Sequence, residues 1–509
     1  MKYQMIMKRT LLSVCLAVAC TMSMLAQAQF GERPRLVVGV VVDQMRWDYL
    51  GRYYEKFSGD GFRRMIDQGY SCNNCLINYL PAVTAIGHAS VYTGTTPAFH
   101  GICGNNFYID GNRVYCTEDS TVNVVGTDNQ SKGQMSPHNM LSTTIGDQLR
   151  LHTDFQSKVI GVSYKERAAI LPAGHSATAA YWLDIKNQQF ITSTYYMTEL
   201  PAWAKRQNQL LKTNQAVKKA GENIGSYPLC GTITTDMAIA ALRGEQLGKG
   251  KQTDMLCVSY SQTDVIGHEY GTRSEQTDAA YLQLDRDLGR LLKALDEQVG
   301  RDNYLLFLTA DHGAAHNFQF MNDHKLPGGK WLIPDMKDRV ESYIAKKLGN
   351  PEPVIADEMD YRFFFDRQAI ARQGLDLQQV KEVAKECLRQ LPNVCFVVDY
   401  EQATQQGLPP IIRDRVLMGY HYRRSGDLVV VTNPGYYSYG KWSSPTGTTH
   451  GEWNPYDAHI PLLFFGWKVP HGATSREVHI TDIAPTVCQL LHIQQPNACV
   501  GEAIVEVTK

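Results

Sequence analysis

The sequence lacks an excess of charge of either sign, since 50 lysines and arginines stand against 51 aspartates and glutamates in 509 residues. Proteins that bind nucleic acids or anionic membrane surfaces carry an excess of basic residues. We therefore predict neither kind of partner. The chain also lacks internal repeats and low-complexity tracts, and beyond its N-terminal region it has no apolar run long enough to span a bilayer.

The longest apolar run, "LLSVCLAVACTMSML", lies near the N-terminus. Basic residues at positions 2, 8 and 9 precede it, and "AQA" at 26–28 fits a signal-peptidase cleavage site. The run is shorter than a bilayer span. We predict a signal peptide at 1–28, cleavage before Gln29 and a periplasmic or secreted mature chain. A lipoprotein processed at Cys20 is the alternative.

Two of the twelve cysteines lie in the predicted signal peptide, so ten remain in the mature chain. In an oxidising compartment, the pairs that are close in sequence could form disulfides, although the sequence does not determine their connectivity. These pairs are Cys72/Cys75, Cys103/Cys116, Cys387/Cys395 and Cys488/Cys499. The "CNNC" at 72–75 could instead bind zinc, but it has no second pair at zinc-finger spacing, so we discount that interpretation.

Short, strongly apolar runs alternate with helical patterns along the chain. Such runs are typical of strands buried on both faces of a parallel sheet. They are found at 35–43, 158–165, 254–264, 303–311 and 460–467. The clearest helical pattern is an apolar stripe within 275–297, formed by Tyr281, Leu284, Leu288, Leu291, Leu292 and Leu295. We predict an α/β fold with a central, mostly parallel β-sheet that has helices on both faces.

The mature chain is longer than one small core requires, which favours a large domain with insertions. We predict a catalytic core formed by residues 29–180, 245–329 and 441–509. Insertions are predicted at 181–244 and 330–440, and the second should be α+β because "YRFFFD", an amphipathic helix, "NVCFVVDY" and "GDLVVVTN" follow one another. We expect both insertions to lie near the site and to determine substrate specificity.

Three of the predicted strands end in an aspartate. Asp43 ends the first strand, Asp264 follows the third and Asp311 ends the fourth. In open α/β sheets, ligands bind outside the carboxyl ends of the strands. We therefore expect these carboxylates to meet in one crevice, although each alone could be a helix cap or a turn residue.

Three histidines accompany the aspartates. His268 lies one helical turn after Asp264, His312 directly follows Asp311, and His450 precedes the last predicted strand. Carboxylate and imidazole donors without thiolate suit catalytic zinc. Six such donors are enough for two metal ions, which can act together on the attacking and leaving oxygens of a displacement.

The stretch "NYLPAVTAIGHASVYTG" at 78–94 places Thr84 between an extended segment and a predicted helix start. Taken alone, this position favours a helix N-cap, because threonine is a common cap. The alternative is a nucleophile displayed at a helix N-terminus. Small residues near Thr84 leave room beside its hydroxyl.

Two further segments could bind an anion. Lys165 and Arg167 are two residues apart in "YKERAAILPAGH", and in extended geometry both side chains would point to one face. Asn105 in "GICGNNFY" offers a neutral donor. The alternative for Lys165 and Arg167 is a solvated, charged turn.

Together these motifs resemble the alkaline phosphatase superfamily. They are most similar to the phosphate-irrepressible, threonine-nucleophile alkaline phosphatases, near the phosphodiesterase/nucleotide pyrophosphatase branch. The resemblance covers nearly the whole mature chain and rests on "VVVDQMRWDYL", "LPAVTAIGHASVYTGTTPAFHGICGNN", "SYKERAAILPAGHSA", "SQTDVIGHEYG", "TADHGA" and "THGEWNPYD". It implies an alkaline-phosphatase-like fold, two Zn²⁺ ions and hydrolysis of phosphate monoesters through a covalent phosphothreonine.

The resemblance also implies a role for each site residue. One zinc would be held by Asp264, His268 and His450. The other would be held by Asp43, Asp311, His312 and the hydroxyl of Thr84, which is also the nucleophile. The phosphoryl oxygens would be bound by Asn105, Lys165 and Arg167, with spacing favouring Asn105 over Asn106. Four histidines in the same motifs have no metal role in the family and are interpreted as structural or as residues that contact the metal ligands: His88, His100, His175 and His316.

The predicted partners are small-molecule phosphate monoesters, and we expect a monomer. A phosphodiesterase or nucleotide pyrophosphatase with the same metals is the first alternative, but the Lys165–Arg167 pair favours a dianionic monoester. A catalytically silent zinc-binding homologue is the second. A sulfatase is disfavoured because the nucleophile motif lacks the Cys/Ser-x-Pro-x-Arg pattern of that family.

Overall fold

The computed structural model describes residues 32–331, 333–349, 352–441 and 443–508, so the predicted signal peptide lies outside the described residues. The strands, labelled in chain order, are β1 Leu36–Val42, β2 Tyr70–Cys72, β3 Cys75–Leu76, β4 Asn106–Ile109, β5 Asn112–Tyr115, β6 Val124–Val125, β7 Val159–Ser163, β8 Ala179–Asp184, β9 Gln189–Ser193, β10 Asp254–Tyr260, β11 Tyr304–Thr309, β12 Gly329–Trp331, β13 Ile355–Met359, β14 Arg362–Phe365, β15 Val394–Asp399, β16 Leu428–Thr432, β17 Tyr436–Ser438, β18 His459–Ile460, β19 Leu462–Gly466, β20 Gly472–Thr474 and β21 Val478–His479.

The α-helices of the described residues are identified by their bounds. They are Tyr49–Tyr53, Phe62–Gln68, Thr84–Thr93, Pro97–His100, Gln130–Gly133, Ile145–His152, Glu166–Ala173, Ala202–Thr213, Gln215–Ala220, Leu229–Gly244, Gln262–Tyr270, Glu275–Gln298, Phe318–Asp323, Ile333–Leu348, Arg367–Arg372, Leu377–Arg389, Pro410–Met418, Pro455–Ala458, Ile483–Leu490 and Val505–Thr508. Within the described ranges, no helix combines the length and apolar character needed to cross a bilayer.

A ten-stranded sheet forms the centre of the fold, in the order β20-β2-β19-β11-β1-β10-β7-β8-β9-β6. Its middle strands, β11, β1, β10, β7 and β8, pair in parallel. Every residue of these five strands is buried, as expected for strands covered on both faces. The α/β prediction is confirmed. The predicted stripe on the helix Glu275–Gln298 is buried as well.

Strand β19 differs from the prediction, because it pairs antiparallel with β11. The preceding segment carries His450 at the carboxyl edge of the parallel strands, so the chain must enter β19 from that edge and run in the opposite direction. An apolar run indicates that a strand is buried, but it does not indicate the direction of the strand in the sheet. The reversed strand keeps the fold mostly parallel.

The two stretches predicted as insertions have different relations to the core. Within 181–244, strands β8 and β9 belong to the central sheet, and Trp203, Leu211 and Met237 belong to the main hydrophobic cluster. Within 330–440, a separate sheet of order β13-β14-β16-β15 packs with its own cluster, which includes Phe363 and Leu388. The second stretch is therefore a compact α+β unit.

The disulfides considered for the close cysteine pairs are not formed. All ten cysteines of the described residues are free thiols, and nine of them are at least partly buried. Burial raises the pKa of several of these thiols, including those of Cys72 and Cys116, each to about 12. The buried cysteines therefore pack as small hydrophobic side chains.

Glu358 in β13 gives the fold a testable pH dependence. Its side chain is buried, and neither carboxylate oxygen has a hydrogen-bond partner among the described residues. Burial, together with the nearby carboxylates of Asp360 and Asp357, raises the pKa of Glu358 to about 8. The folded chain therefore keeps a proton that the unfolded chain loses above the ordinary glutamate pKa, so the free energy of unfolding falls as pH rises toward 8.

We expect Glu358→Gln to remove this loss of stability. The gain of the variant over the wild type should be near zero at pH 4, grow as pH rises and level off above pH 8, at no more than about 5 kcal/mol. Urea unfolding of both proteins at several pH values measures it. A difference that does not change with pH would contradict the assignment.

Candidate active site

The six predicted metal donors meet at the carboxyl edge of the parallel strands. Asp43 directly follows β1, Asp311 lies two residues after β11, and Asp264 lies in the first turn of the helix that follows β10. Two groups of donors have all their ligand atoms within 4.8 Å of one another. These groups are Asp264, His268 and His450, and Asp43, Asp264 and His312.

The first group is held by a helical turn and a loop. His268 Nε2 lies 3.0 Å from Asp264 Oδ1, as the spacing of one turn on a helix predicts. His450 reaches the same oxygen from the loop before β18, with its Nε2 3.6 Å away. The backbone N–H of Thr448 donates to the Gly267 carbonyl at 3.1 Å, which ties this loop to the helix.

The second group lies beside the first. His312 Nε2 is 3.5 Å from Asp43 Oδ1 and 3.5 Å from Asp311 Oδ2. Thr84 Oγ1 lies 3.4 Å from the same imidazole nitrogen. The rings of His312 and His450 stack with centroids 3.5 Å apart, so the two groups are adjacent. Every residue predicted for the second zinc therefore lies at this point, and Asp264 lies between the groups.

The three histidines are oriented alike. Each has Nδ1 within hydrogen-bond distance of a backbone carbonyl: His268 with Thr448 at 2.9 Å, His312 with Gly313 at 2.9 Å and His450 with Ala82 at 2.7 Å. A carbonyl oxygen can only accept, so Nδ1 carries a proton, and in the neutral imidazole Nε2 keeps its lone pair. The Nε2 lone pairs then face the carboxylates. Metal ligation through Nε2 requires this tautomer.

The cluster holds more negative than positive charge. The carboxylates of Asp43, Asp264 and Asp311 are buried, and one ammonium, that of Lys165, lies against them, 2.8 Å from Asp43 and 2.6 Å from Asp264. Asp43 Oδ1 accepts no hydrogen bond from the described residues. Burial, then the neighbouring Asp311, raises the pKa of Asp43 well above its usual value. Buried carboxylates need compensating charge, so the donor set fits bound cations, and its oxygen and imidazole chemistry fits zinc.

Lys165 and Arg167 are not related as predicted. Strand β7 ends at Ser163, Lys165 is the extended N-cap residue of the helix Glu166–Ala173, and Arg167 lies in its first turn. The prediction that Lys165 and Arg167 lie in an extended segment and point to one face is wrong, because a helix begins directly after Lys165. Lys165 therefore points into the carboxylates, while Arg167 Nη1 donates to the Tyr115 hydroxyl at 2.9 Å.

The charge of Lys165 is fixed by its neighbours. Burial lowers the pKa of the ammonium, but Asp264 and Asp43 outweigh that effect, so the pKa lies above its ordinary value. Lys165 is therefore a permanent cation in contact with both donor groups. It compensates part of the carboxylate charge.

Thr84 is the first residue of the helix Thr84–Thr93, and it is almost fully buried. The N-cap residue is Val83, and it makes no side-chain cap hydrogen bond. The N-cap interpretation of Thr84 is therefore wrong. Its hydroxyl is directed instead toward His312, at the positive end of the helix dipole.

A glycine allows this helix to approach the cluster. A Cβ atom on Gly87 would lie 2.3 Å from the carbonyl oxygen of Asp311 and 2.6 Å from its Cβ. His88 fills the space beside it, with Nδ1 2.9 Å from the Thr84 carbonyl and Nε2 2.8 Å from Ser259 Oγ. The run of small residues after Thr84 thus has a packing reason.

Asn105 is placed next to the threonine. Its Oδ1 accepts a hydrogen bond from the backbone N–H of Ala85 at 3.2 Å. The amide oxygen is thereby occupied, which leaves the Nδ2 donors of Asn105 for another group. Asn106 instead begins β4 and pairs with Tyr115, so the geometry favours Asn105 over Asn106.

Two site residues were missed in the sequence. Gln44 Nε2 donates to Asp264 Oδ1 at 2.6 Å and its backbone N–H donates to Asp311 Oδ1 at 3.1 Å, so Gln44 connects both donor groups. Its φ of 64° lies in the left-handed region, which is uncommon for a residue other than glycine. The available signal was its position directly after Asp43 at a strand end. Tyr115 carried no comparable signal.

The other motif histidines contact structural partners. His100 Nε2 lies 3.1 Å from Ser90 Oγ, and its Nδ1 accepts from the backbone N–H of Ile102. His316 Nδ1 lies 2.6 Å from the Thr272 hydroxyl, and the backbone N–H of His175 donates to Asp147. None of these three belongs to a donor group within the described ranges.

We expect Gly87→Ala to weaken metal binding, because the added methyl group must displace Asp311. The affinity for zinc should fall about 10- to 100-fold, as for other changes that misplace a metal ligand. Competition with a chromophoric chelator measures it. Gly51→Ala is the control, since a Cβ at that helical position meets no atom within 4 Å. Wild-type zinc affinity in folded Gly87→Ala would contradict the expectation.

Comparison with known proteins agrees with the resemblance found in the sequence. Residues 37–455 match the family described as "Type I phosphodiesterase / nucleotide pyrophosphatase". The chain is 44% identical to alkaline phosphatase PafA of Elizabethkingia meningoseptica, over 93% of this chain and 94% of that protein. It is 39% identical to alkaline phosphatase PhoV of Synechococcus elongatus, over 94% and 93% of the two chains.

A solved structure is similar along the whole fold. The crystal structure of wild-type alkaline phosphatase PafA superposes with a TM-score of 0.90 at 43% identity, covering 94% of this chain and all of that one. The similarity therefore includes the central sheet and the α+β unit. The chain belongs to the type I phosphodiesterase / nucleotide pyrophosphatase family and, within the alkaline phosphatase superfamily, to the alkaline phosphatases of that family.

Proposed function

We propose that this protein is an exported two-zinc alkaline phosphatase that hydrolyses phosphate monoesters through a covalent phosphothreonine at Thr84. The relatives support phosphomonoester hydrolysis, since two alkaline phosphatases are 44% and 39% identical over nearly the whole chain. The single observation that carries the mechanism is the position of the Thr84 hydroxyl, 3.4 Å from His312 Nε2 at a helix N-terminus. The predicted signal peptide supports a periplasmic or secreted location.

The donors divide between two zinc sites as follows. One ion would be held by Asp264, His268 and His450, and the other by Asp43, Asp311, His312 and Thr84. When bound, the ions would lower the pKa of the attacking hydroxyl and of water, and would neutralise charge that develops on the leaving oxygen. Gln44 supports both sites, because it donates to Asp264 and Asp311.

Thr84 acts as the nucleophile in this proposal. Its Oγ1 forms a bond to phosphorus while the bond from phosphorus to the ester oxygen breaks and the alcohol leaves. Water then attacks the phosphothreonine, which releases phosphate and restores the hydroxyl. The helix Thr84–Thr93 favours negative charge at this position, since Thr84 lies at its positive, N-terminal end.

The phosphoryl oxygens are positioned by three groups, one just before β4 and two at the start of the helix Glu166–Ala173. Asn105 offers its Nδ2 donors, because Ala85 N–H occupies its Oδ1. Arg167 offers donors other than the one used by Tyr115, and Lys165 contributes charge from between the donor groups. Phosphoryl transfer needs positioning and electrostatic stabilisation above all, which is what these residues supply.

Phosphodiester hydrolysis is the alternative, and the name of the matching family motivates it. A diester carries one negative charge fewer than a monoester dianion, so it gains less from the two cations Lys165 and Arg167. The assignment of both cations to the phosphoryl oxygens in this proposal favours the monoesterase. A catalytically silent homologue is disfavoured, because five of the implied donors lie in the two donor groups, and Asp311 and Thr84 both lie beside His312.

We expect Thr84→Ala to abolish the covalent intermediate. The turnover of zinc-loaded protein should fall by about three orders of magnitude or more, as for loss of other covalent nucleophiles. Rapid acid quench followed by mass spectrometry should find phosphate on Thr84 in the wild type and none in the variant. Thr84→Ser is the control and should keep a phosphorylated residue. Full turnover in Thr84→Ala would contradict the mechanism.

We expect zinc-loaded protein to hydrolyse nitrophenyl phosphate with a higher kcat/KM than bis-nitrophenyl phosphate, because the monoester is the dianion. Arg167→Ala should reduce the monoester rate more than the diester rate. Steady-state assays with both esters measure the ratio. A higher kcat/KM of the wild type for the diester would contradict the monoesterase proposal and support the phosphodiesterase alternative.

A further inference from the structure

Arg167 is held by the hydroxyl of Tyr115. Its Nη1 donates to that hydroxyl at 2.9 Å, and the hydroxyl donates its own proton to the Glu166 carboxylate in a short hydrogen bond. Arg167 Nη1 lies 3.7 Å from the same oxygen of Glu166. The tyrosine hydroxyl therefore lies between the two charged groups, closer to each of them than they are to one another.

This arrangement determines the direction of each hydrogen bond. Glu166 accepts the tyrosine proton, so the lone pairs of the Tyr115 oxygen remain for Arg167. Arg167 and Glu166 are both mostly buried, with side chains 16% and 17% exposed. Without the hydroxyl, nothing separates them, and the buried guanidinium would form a direct charge-assisted pair with the carboxylate. Arg167 would then turn away from a phosphoryl group, and the carboxylate of Glu166 would neutralise part of its positive charge.

The backbone around Tyr115 connects it with Asn105. Tyr115 ends β5 and pairs with Asn106, the first residue of β4. The backbone N–H of Cys116 donates to the Asn105 carbonyl at 2.9 Å. The β4–β5 hairpin therefore has Asn105 just before its first strand and Tyr115 at the end of its second. One local element thus carries both Asn105 and the hydroxyl that contacts Arg167.

We propose that Tyr115 is a positioning residue that keeps Arg167 available to the substrate, and that this contact sets the preference for dianionic phosphate monoesters over monoanionic diesters. The inference rests on the proposed function and deepens it. It assigns the charge selectivity of the site to a neutral hydroxyl and not only to the two cations.

Tyr115→Phe tests the inference, because it removes only the hydroxyl. In zinc-loaded protein, kcat/KM for nitrophenyl phosphate should fall about 10- to 100-fold, the value of a hydrogen bond to a charged group. The rate with bis-nitrophenyl phosphate should fall less, so the monoester-to-diester ratio falls. Tyr108→Phe is the matched control. Tyr108 lies on the same hairpin with its ring against Phe364 at 5.0 Å, and its variant should stay within about twofold of wild type.

A double-mutant cycle separates positioning from a general structural effect. Because Tyr115 acts through Arg167, adding Tyr115→Phe to Arg167→Ala should cause no further loss. Equal losses in the two backgrounds would overturn the inference. Thermal unfolding of each variant checks that it is folded.

Glu166→Ala provides a second variant if Tyr115→Phe does not fold. It keeps the hydroxyl as an acceptor for Arg167, so it should retain at least about tenfold more activity than Arg167→Ala. A loss as large as that of Arg167→Ala would overturn the inference. Inactive wild-type protein would overturn the proposed function together with the inference. Active wild-type protein with an unchanged monoester-to-diester ratio in Tyr115→Phe would overturn the inference alone.

Discussion

Three buried carboxylates at one edge of a sheet need positive charge, and this requirement organises the site. Asp43, Asp264 and Asp311 are almost inaccessible to solvent, while the ammonium of Lys165 contacts only two of them. Burying charge without compensation is costly, so such a cluster persists only where cations can enter it. The imidazoles around it present their unprotonated nitrogens inward. Both features favour metal binding.

The fold brings the parts of this cluster together from positions more than four hundred residues apart. Parallel strands end at the same edge, which fixes Asp43 and Asp311, and one helical turn aligns His268 with Asp264. The antiparallel direction of β19 has the same cause, because the segment before it passes this edge and places His450 beside Asp264. Gly87 then allows the helix that carries Thr84 to pack against Asp311.

Much of this arrangement could be predicted from the sequence, because it follows from local sequence patterns. Buried strands, the helix Glu275–Gln298 and the strand-end aspartates follow from apolar periodicity and from the rule that ligands bind at carboxyl edges. The direction of β19 could not be predicted, because it depends on where the preceding loop must go. The geometry of Lys165 and Arg167 was misjudged, since the chain enters a helix one residue after Lys165. The contacts of Tyr115 depend on tertiary structure alone, and the signal for Gln44 was limited to its position directly after Asp43.

The central claim is that these donors form two adjacent metal sites with the Thr84 hydroxyl at one of them. X-ray diffraction from crystals of the zinc-loaded protein, recorded on both sides of the zinc absorption edge, tests it most directly. The account predicts two anomalous peaks, one among Asp264, His268 and His450 and the other among Asp43, Asp311, His312 and Thr84. A single peak, or two peaks at other positions, would contradict it.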